Sequence, residues 1–352
     1  MILFSQSPSM PILKNRQVAP SRVLIIVVFL FLIICNCWAE SEIDERLSAR
    51  DHFNKGIAYY NKHDYEHAVL QFTKAIQMNP QFTDAFKQRG NAFLEIGNPD
   101  RAIWDYDRAI ELNPKYANLY LNRGSAYRDK GETDRAIADY NKALEINPHF
   151  VMAYEGRGSV YADSGDYDKA IADFTKMIEL EPDNVHAFYR RGNAYRDKRE
   201  YGKAIANYNS ALSLSPKYYN ARFERARAYL SKGDIDRGIS EYDKLLMEDP
   251  YDAAAYNNRG YGYFLKGDNE SAISDYSASL KLNPYNVDAW DNIGISYYLT
   301  GRYSLAKKSL EAAVEMGSVC YECYYYLSEM YAKDGETEKA KIYLDKAQQY
   351  KK

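Results

Sequence analysis

The sequence is poor in the residues that enzymes and metal sites most often use. Among 352 residues there are five histidines and four cysteines, and no phosphate-loop, dinucleotide-binding or zinc-protease motif occurs. Two of the four cysteines, Cys35 and Cys37, lie in an apolar N-terminal stretch, which excludes a fold built on disulfides. The formal net charge is −3, and the lack of a basic excess argues against nucleic-acid binding. We therefore expect a chain that is not an enzyme and that needs no cofactor.

An apolar stretch near the N-terminus predicts export. Residues 23–35 are thirteen consecutive apolar residues, with three basic residues before them and four acidic residues shortly after them. This order of charges keeps the N-terminus in the cytoplasm and exports the part of the chain after the apolar stretch. We divide this part into a basic region 1–22, a hydrophobic signal peptide or signal anchor 23–39, and an acidic linker 40–48. The length of the apolar stretch leaves cleavage or anchoring open, and so does the choice of Met1 or Met10 as the start. Either way, we expect the rest of the chain outside the cytoplasm, periplasmic, secreted or held at the membrane.

The rest of the chain repeats every 34 residues. Prolines recur at this interval at Pro80, Pro114, Pro148, Pro182, Pro216, Pro250 and Pro284. Nine units fill residues 49–352, and they start at residues 49, 83, 117, 151, 185, 219, 253, 287 and 321. Within a unit, apolar residues recur at helical spacing in two runs, which end at a glycine and before a proline. Each unit is therefore predicted to form two helices.

The residues that recur within the unit are specific in kind and place. Numbered from 1 to 34, the unit 117–150 has aromatic residues at positions 4, 11 and 24, glycine at 8, alanine at 20 and 27, and proline at 32: Tyr120, Tyr127, Tyr140, Gly124, Ala136, Ala143 and Pro148. In this pattern the chain resembles the tetratricopeptide repeat (TPR) family. The resemblance implies an all-α solenoid of nine stacked helix-turn-helix units that form a right-handed superhelix with a concave groove. It also implies a non-enzymatic scaffold that binds an extended peptide or a helix of a partner protein.

Two positions depart from the family pattern together. Position 7, usually leucine, is arginine in units 2–7, and position 23 of the same units is acidic or, once, asparagine. A partly buried arginine is costly without a partner, so we predict ion pairs between the two helices of a unit. The predicted pairs are Arg89–Asp105, Arg123–Asp139, Arg157–Asp173, Arg225–Glu241 and Arg259–Asp275, with Asn207 opposite Arg191. Two alternatives stay open, namely pairing with the arginine of the next unit and a ligand-binding role.

Two cysteines remain outside the N-terminal stretch. Cys320 and Cys323 have the C-x-x-C spacing of redox motifs, but the predicted surroundings are helical rather than βαβ. We predict a local disulfide in an oxidising compartment, with free thiols, a redox function or a metal function as alternatives. His63 and His67 share helical spacing, but two ligands are too few for a structural zinc site, so no metal is expected.

The variable positions of the first helix predict a binding surface. In the family, positions 2, 5, 9, 12 and 13 of this helix line the groove. We predict a peptide-binding groove formed by Lys87, Asn91, Asn122, Tyr189, Asn193, Asn257, Asn258, Tyr261 and Tyr325. Amides both donate and accept hydrogen bonds, which suits a peptide main chain.

Part of this set matches a known feature of the family. Lys87, Asn91 and Asn122 match half of the carboxylate clamp that some members have, but Met152 and Gly156 replace its cationic half. An alternative function is carbohydrate binding in exopolysaccharide assembly, through groove tyrosines. The expected partner is a protein or peptide of unknown identity, and membrane contact is expected only through residues 23–39 if they are not cleaved. The sequence leaves the pathway and the oligomeric state open.

Overall fold

A computed structural model describes residues 48–351. In this range the chain forms eighteen α-helices and no strand, which confirms the predicted all-α fold of helix-turn-helix units. The helices are α1 (Ala49–Tyr60), α2 (Tyr65–Met78), α3 (Thr83–Glu95), α4 (Pro99–Leu112), α5 (Ala117–Asp129), α6 (Thr133–Ile146), α7 (Val151–Asp163), α8 (Tyr167–Leu180), α9 (Val185–Asp197), α10 (Tyr201–Leu214), α11 (Tyr219–Lys232), α12 (Ile235–Glu248), α13 (Ala253–Leu265), α14 (Asn269–Leu282), α15 (Val287–Leu299), α16 (Tyr303–Glu315), α17 (Tyr321–Lys333) and α18 (Thr337–Tyr350).

The helices belong to two compact units that divide between Asn113 and Pro114. The first unit holds α1–α4 and the second holds α5–α18. In both, each odd-numbered helix packs against the even-numbered helix that comes after it and forms a hairpin with it. Within a unit, each further hairpin also packs its first helix against the second helix of the hairpin before it. The first helix of every hairpin begins at a residue from which the sequence repeats were numbered.

The turn inside each hairpin depends on a left-handed backbone at position 15. Seven hairpins have glycine there, with φ between 72° at Gly97 and 87° at Gly233. His63 and Arg199 adopt the same conformation, with φ of 59° and 63°, at a cost of about 1 kcal/mol each. In four hairpins a side chain then caps the start of the second helix, as where Asp166 accepts a hydrogen bond of 3.3 Å from the N–H of Lys169.

In the seven hairpins that have glycine at position 8, this residue makes the close contact between the two helices possible. The side chain at position 24 of their second helices is buried, as Tyr106 and Tyr208 are. A Cβ atom added to Gly192 would lie 2.7 Å from the ring of Tyr208, and one added to Gly90 would lie 2.7 Å from the ring of Tyr106. Glycine therefore allows the first helix to lie directly on the aromatic ring of the second.

The apolar core of the second unit continues from one hairpin to the next. One buried cluster joins Ala204, Tyr208 and Ala211 of α10 to Ala221 and Ala228 of α11. The side chains that pack between hairpins are thus the ones that recur every 34 residues. This repetition leaves the remaining positions of the first helices available for other roles.

The expectations for the N-terminal part concern residues outside the described range. The basic region 1–22, the hydrophobic segment 23–39 and the linker 40–48, apart from Ser48, cannot be compared with the structure. Within residues 48–351, none of the helices combines the length and the apolar character that a membrane span requires.

Candidate functional site

Each arginine at position 7 is paired inside its own hairpin. Arg89 donates from Nε and Nη2 to the two carboxylate oxygens of Asp105, at 2.9 and 2.7 Å. The same two-bond geometry joins Arg123 to Asp139, Arg157 to Asp173 and Arg259 to Asp275. The structure therefore brings the predicted pairs together. Each arginine pairs with the position-23 residue of its own repeat and not with that of the preceding repeat.

The two departures from aspartate at position 23 are accommodated differently. Asn207 accepts a hydrogen bond of 2.8 Å from Nε of Arg191, and its own amide donates to the backbone oxygen of Lys203 at 2.8 Å. Glu241 accepts from Nη2 of Arg225 and shares its other oxygen with Lys244. As a result, Nε of Arg225 is buried and has no hydrogen-bond partner in the part of the chain that the structure describes. The longer glutamate thus keeps the hydrogen bond from Nη2 but not the one from Nε.

The arginines also hold neighbouring hairpins together, which the sequence analysis did not predict. The Nη1 atom donates to a polar side chain at position 25 of the preceding hairpin, as in Arg259 to Asp243 at 2.7 Å and Arg191 to Thr175 at 3.1 Å. Position 25 holds threonine, asparagine or aspartate in these contacts, so its only common property is a hydrogen-bonding oxygen. In the sequence, this shared oxygen was the only indication that position 25 contacts the arginine of the next hairpin.

Aromatic rings enclose the same guanidinium groups. The Cζ atom of Arg259 lies 5.5 Å from the ring centre of Tyr256 and 5.9 Å from that of Tyr263, at positions 4 and 11 of the same helix. At 12–20% exposure, the side chains of the ion-paired arginines are largely buried. The arginines therefore stabilise the stack, and their geometry leaves little for a ligand.

Two predicted groove asparagines have a structural task. The buried hydroxyl of Tyr106 donates to Oδ1 of Asn91 at 2.7 Å, and that of Tyr208 donates to Oδ1 of Asn193 at 2.8 Å. The oxygens of these amides therefore already accept a hydrogen bond within the protein, and their contact with a peptide stays a prediction. The side-chain N–H groups of Asn193 can donate hydrogen bonds to a ligand.

Other predicted groove residues also have partners within the protein. Lys87 pairs with Asp84 at 3.2 Å, Asn257 accepts from Asn292 at 3.3 Å, and Asn258 donates to the backbone oxygen of Ala254 at 2.9 Å. Asn122 is half-buried on α5 and also makes polar contacts. Lys87 and Asn91 belong to the first compact unit and Asn122 to the second.

The groove tyrosines differ in exposure. Tyr261 is 42% exposed and stacks on Phe264, with ring centres 6.3 Å apart. Tyr325 stacks on Tyr321 at 6.0 Å and donates to Glu329 at 3.1 Å. Tyr189 is held between two other rings, 6.2 Å from Tyr208 and 5.3 Å from Tyr218.

Two cavities open along the first helices in the second compact unit. One, of about 230 Å³, is lined by the aromatic residues Tyr189, Tyr219 and Phe223 together with Asn220, Glu224 and Ala254. The other, of about 260 Å³, is polar and includes Asn193 with the charged side chains of Arg190 and Arg196. Tyr189 and Asn193 lie one turn apart on α9. This helix therefore contributes a predicted groove residue to each cavity.

The two C-terminal cysteines are joined as predicted. A disulfide links Cys320 and Cys323, whose Cα atoms are 5.3 Å apart, at the start of α17. The backbone N–H of Cys323 also donates to Sγ of Cys320 at 3.3 Å. The disulfide lies beside Asp291 of α15, a residue that the sequence analysis did not single out.

Comparison with known proteins agrees with this architecture. Models of the tetratricopeptide repeat match residues 87–149, 155–219 and 292–351, and related models of this repeat match 49–82, 195–258 and 260–301. No curated protein matches the sequence.

Solved structures with low sequence identity share the fold. A tetratricopeptide repeat protein from Parabacteroides merdae superposes with a TM-score of 0.60 at 22% identity, over 70% of this chain and 98% of that one. The C-terminal part of a TPR repeat-containing protein from Cytophaga hutchinsonii does so with a TM-score of 0.56 at 23% identity, over 68% of this chain and 99% of that one. Repeat models that match more than half of the residues, and the helical hairpins that these residues form, show that the chain belongs to the tetratricopeptide repeat family.

Proposed function

We propose that this chain is a scaffold whose first helices bind, without catalysis, an extended segment of a partner protein. Proteins of this family typically bind proteins or peptides and are generally not catalysts. The observation that carries the proposal is the pair of cavities on α9, one aromatic and one polar. A surface with an apolar pocket and nearby polar donors is the usual form of a peptide site.

The spacing of the two cavities suits an extended chain. Tyr189 and Asn193 are four residues apart, which is about 6 Å along a helix axis. An extended peptide covers this distance in about two residues. One apolar side chain of the partner would enter the cavity beside Tyr189, Tyr219 and Phe223, and a carbonyl oxygen two residues away would accept from the amide of Asn193.

The location outside the cytoplasm is part of the proposal and rests on the sequence alone. The charges that flank residues 23–39 favour export of the rest of the chain. N-terminal sequencing of the protein from its native membrane and soluble fractions tests this. A start near residue 40 would indicate cleavage, and an intact N-terminus in the membrane fraction would indicate an anchor. A chain found only in the cytoplasm would contradict export.

The binding proposal is tested with a displayed peptide library and the full-length chain. We expect Tyr189→Ala to weaken the selected peptides about tenfold or more, because an aromatic anchor is lost. Asn193→Asp removes the donating N–H groups but keeps an oxygen that accepts from Tyr208, so it separates binding from folding. Met247→Ala, at a residue of α12 that is 82% exposed, serves as the control and should leave affinity unchanged.

The same variants distinguish the carbohydrate alternative. If the chain binds a glycan array and selects no peptide, and if Tyr189→Ala abolishes this binding while Asn193→Asp does not, the groove binds sugars. Peptide affinities that are the same in all variants would place the binding surface elsewhere.

A further inference from the structure

Asp291 is a buried acid whose environment the fold does not explain. Its side chain lies on α15, and the residue is 8% exposed. One carboxylate oxygen accepts a hydrogen bond of 2.8 Å from the hydroxyl of Ser318. The other oxygen, Oδ1, is buried and has no hydrogen-bond partner among the described residues. An unpartnered oxygen on a buried acid costs about 1–3 kcal/mol, which suggests a role other than packing.

The group that this acid faces is the disulfide. One carboxylate oxygen of Asp291 and the sulfur atoms of Cys320 and Cys323 all lie within 4.8 Å of one another. The two cysteines differ in access, because Cys323 is completely buried and Cys320 is half-buried. An incoming thiol can therefore reach only the sulfur of Cys320.

We propose that Cys320 and Cys323 form a thiol–disulfide exchange site in which Asp291 transfers the proton of the buried thiol. Cys320 is the sulfur that forms the mixed disulfide, and Cys323 is the sulfur that leaves and returns. The co-reactant is a dithiol or disulfide of another protein, or a small molecule of the same class. This activity is additional to peptide binding and does not depend on it.

The exchange balances with these groups alone. A thiolate of the co-reactant attacks Sγ of Cys320, the Cys320–Cys323 bond breaks, and its electron pair stays on Sγ of Cys323. That sulfur takes the proton from the carboxyl group of Asp291. A second thiolate of the co-reactant then attacks the mixed disulfide and releases Cys320 as a thiolate, so the co-reactant is oxidised and the cysteine pair is reduced. In the reverse direction, Asp291 removes the proton from Cys323, which attacks the mixed disulfide at Cys320.

The position of the pair in the fold supports this assignment. Cys320 is the N-cap residue of α17, where the helix dipole stabilises a thiolate. The pKa of Asp291 is raised to about 6, mainly by burial; the hydrogen bond from Ser318 opposes this rise, and the carboxylates of Asp288 and Glu322 add to it. Tyr324, whose hydroxyl donates to the backbone oxygen of Ser318, is the other titratable neighbour. Near neutral pH, part of the Asp291 population therefore holds a proton that it can transfer.

The test measures how fast dithiothreitol reduces the disulfide in the full-length chain. Cys35 and Cys37 are replaced by serine, so that Cys320 and Cys323 are the only sulfur pair. We expect Asp291→Asn, which keeps an acceptor for Ser318 but carries no transferable proton, to slow the reaction at pH 6 at least about tenfold. Asp345→Asn, at an exposed residue of α18, is the matched control and should react at the original rate. After reduction, limited alkylation should modify Cys320 before Cys323.

A second variant applies if the first does not fold. Ser318→Ala removes the hydrogen bond that lowers the pKa of Asp291, so the pH profile of the reduction rate should move to higher pH. An unchanged rate in Asp291→Asn, an unchanged profile in Ser318→Ala, or alkylation of Cys323 first would overturn the proposal. So would stoichiometric Zn²⁺ binding by a reduced chain that does not exchange with disulfides, which would indicate a metal site.

Discussion

The buried tyrosines at position 24 differ in the partner of their hydroxyl groups. Tyr208 donates to Asn193, whereas the buried hydroxyls of Tyr242 and Tyr276 have no hydrogen-bond partner within residues 48–351. Because position 24 is phenylalanine at Phe72 and Phe174, a ring without a hydroxyl fits this site.

We therefore expect opposite effects from the same substitution. Tyr276→Phe should leave the free energy of unfolding unchanged or raise it by up to about 1 kcal/mol, since an unsatisfied hydroxyl is removed. Tyr208→Phe should lower it by about 1 kcal/mol, because a hydrogen bond is lost and Oδ1 of Asn193 loses its donor. Urea unfolding followed by circular dichroism measures both. A larger loss of unfolding free energy in Tyr276→Phe than in Tyr208→Phe would contradict this expectation.

These residues also show the limit of sequence reasoning at a single position. The repeat identified Asn91 and Asn193 as groove residues, and their place on the first helices agrees with that. The hydrogen bonds from Tyr106 and Tyr208 were not predictable, because position 9 varies among asparagine, serine, arginine, tyrosine, isoleucine and glutamate. Without a fixed residue type, no pattern linked positions 9 and 24.

At the scale of the helices, the arginines at position 7 connect one helix to another. Arg259 on α13 joins Asp275 of α14 and Asp243 of α12, so one side chain fastens three helices. The side chain of Asp275 is 7% exposed, whereas that of Asp243 is 39% exposed. Loss of the arginine would leave the Asp275 carboxylate buried and unpaired, and Asp243 solvated.

We expect Arg259→Ile to lower the free energy of unfolding by about 3 kcal/mol, because it isolates a buried charge. An uncharged pair already occurs at these positions in the next hairpin, which has Ile293 at position 7 and Ser309 at position 23. The double variant Arg259→Ile with Asp275→Ser should therefore recover most of the loss in thermal or urea unfolding. A double variant as unstable as Arg259→Ile alone would show that the charge is not the cause.

The pattern of helices and ion pairs was largely predictable, and the contacts between hairpins were not. Helix starts and turns follow from residues that recur every 34 positions, such as the glycine at position 15 and the proline at position 32. The joint change of positions 7 and 23 within the same units indicated their pairing. Position 25 has no such covariation, because threonine, asparagine and aspartate all have a side-chain oxygen that accepts from arginine.

At the scale of the whole chain, which has 35 tyrosines, the buried tyrosines make the folded state less stable at alkaline pH. In the second compact unit, burial raises the pKa of Tyr208, Tyr242 and Tyr276 well above the value near 10 of an unfolded chain. The folded state therefore binds these protons more tightly than the unfolded state. Their contribution is intact below about pH 10 and is lost as the pH rises above it.

We expect steep unfolding above about pH 10, because three such groups remove up to about 4 kcal/mol for each pH unit. Circular dichroism and the absorbance of tyrosinate should change together as the pH is raised. Tyr242→Phe combined with Tyr276→Phe should move the midpoint to higher pH and make the transition shallower, since two of the buried tyrosines no longer titrate. Tyr251→Phe with Tyr285→Phe, at residues 79% and 83% exposed, should leave the midpoint unchanged. If the exposed pair shifts the midpoint as much as the buried pair, the alkaline transition originates in surface charge and not in the repeated core.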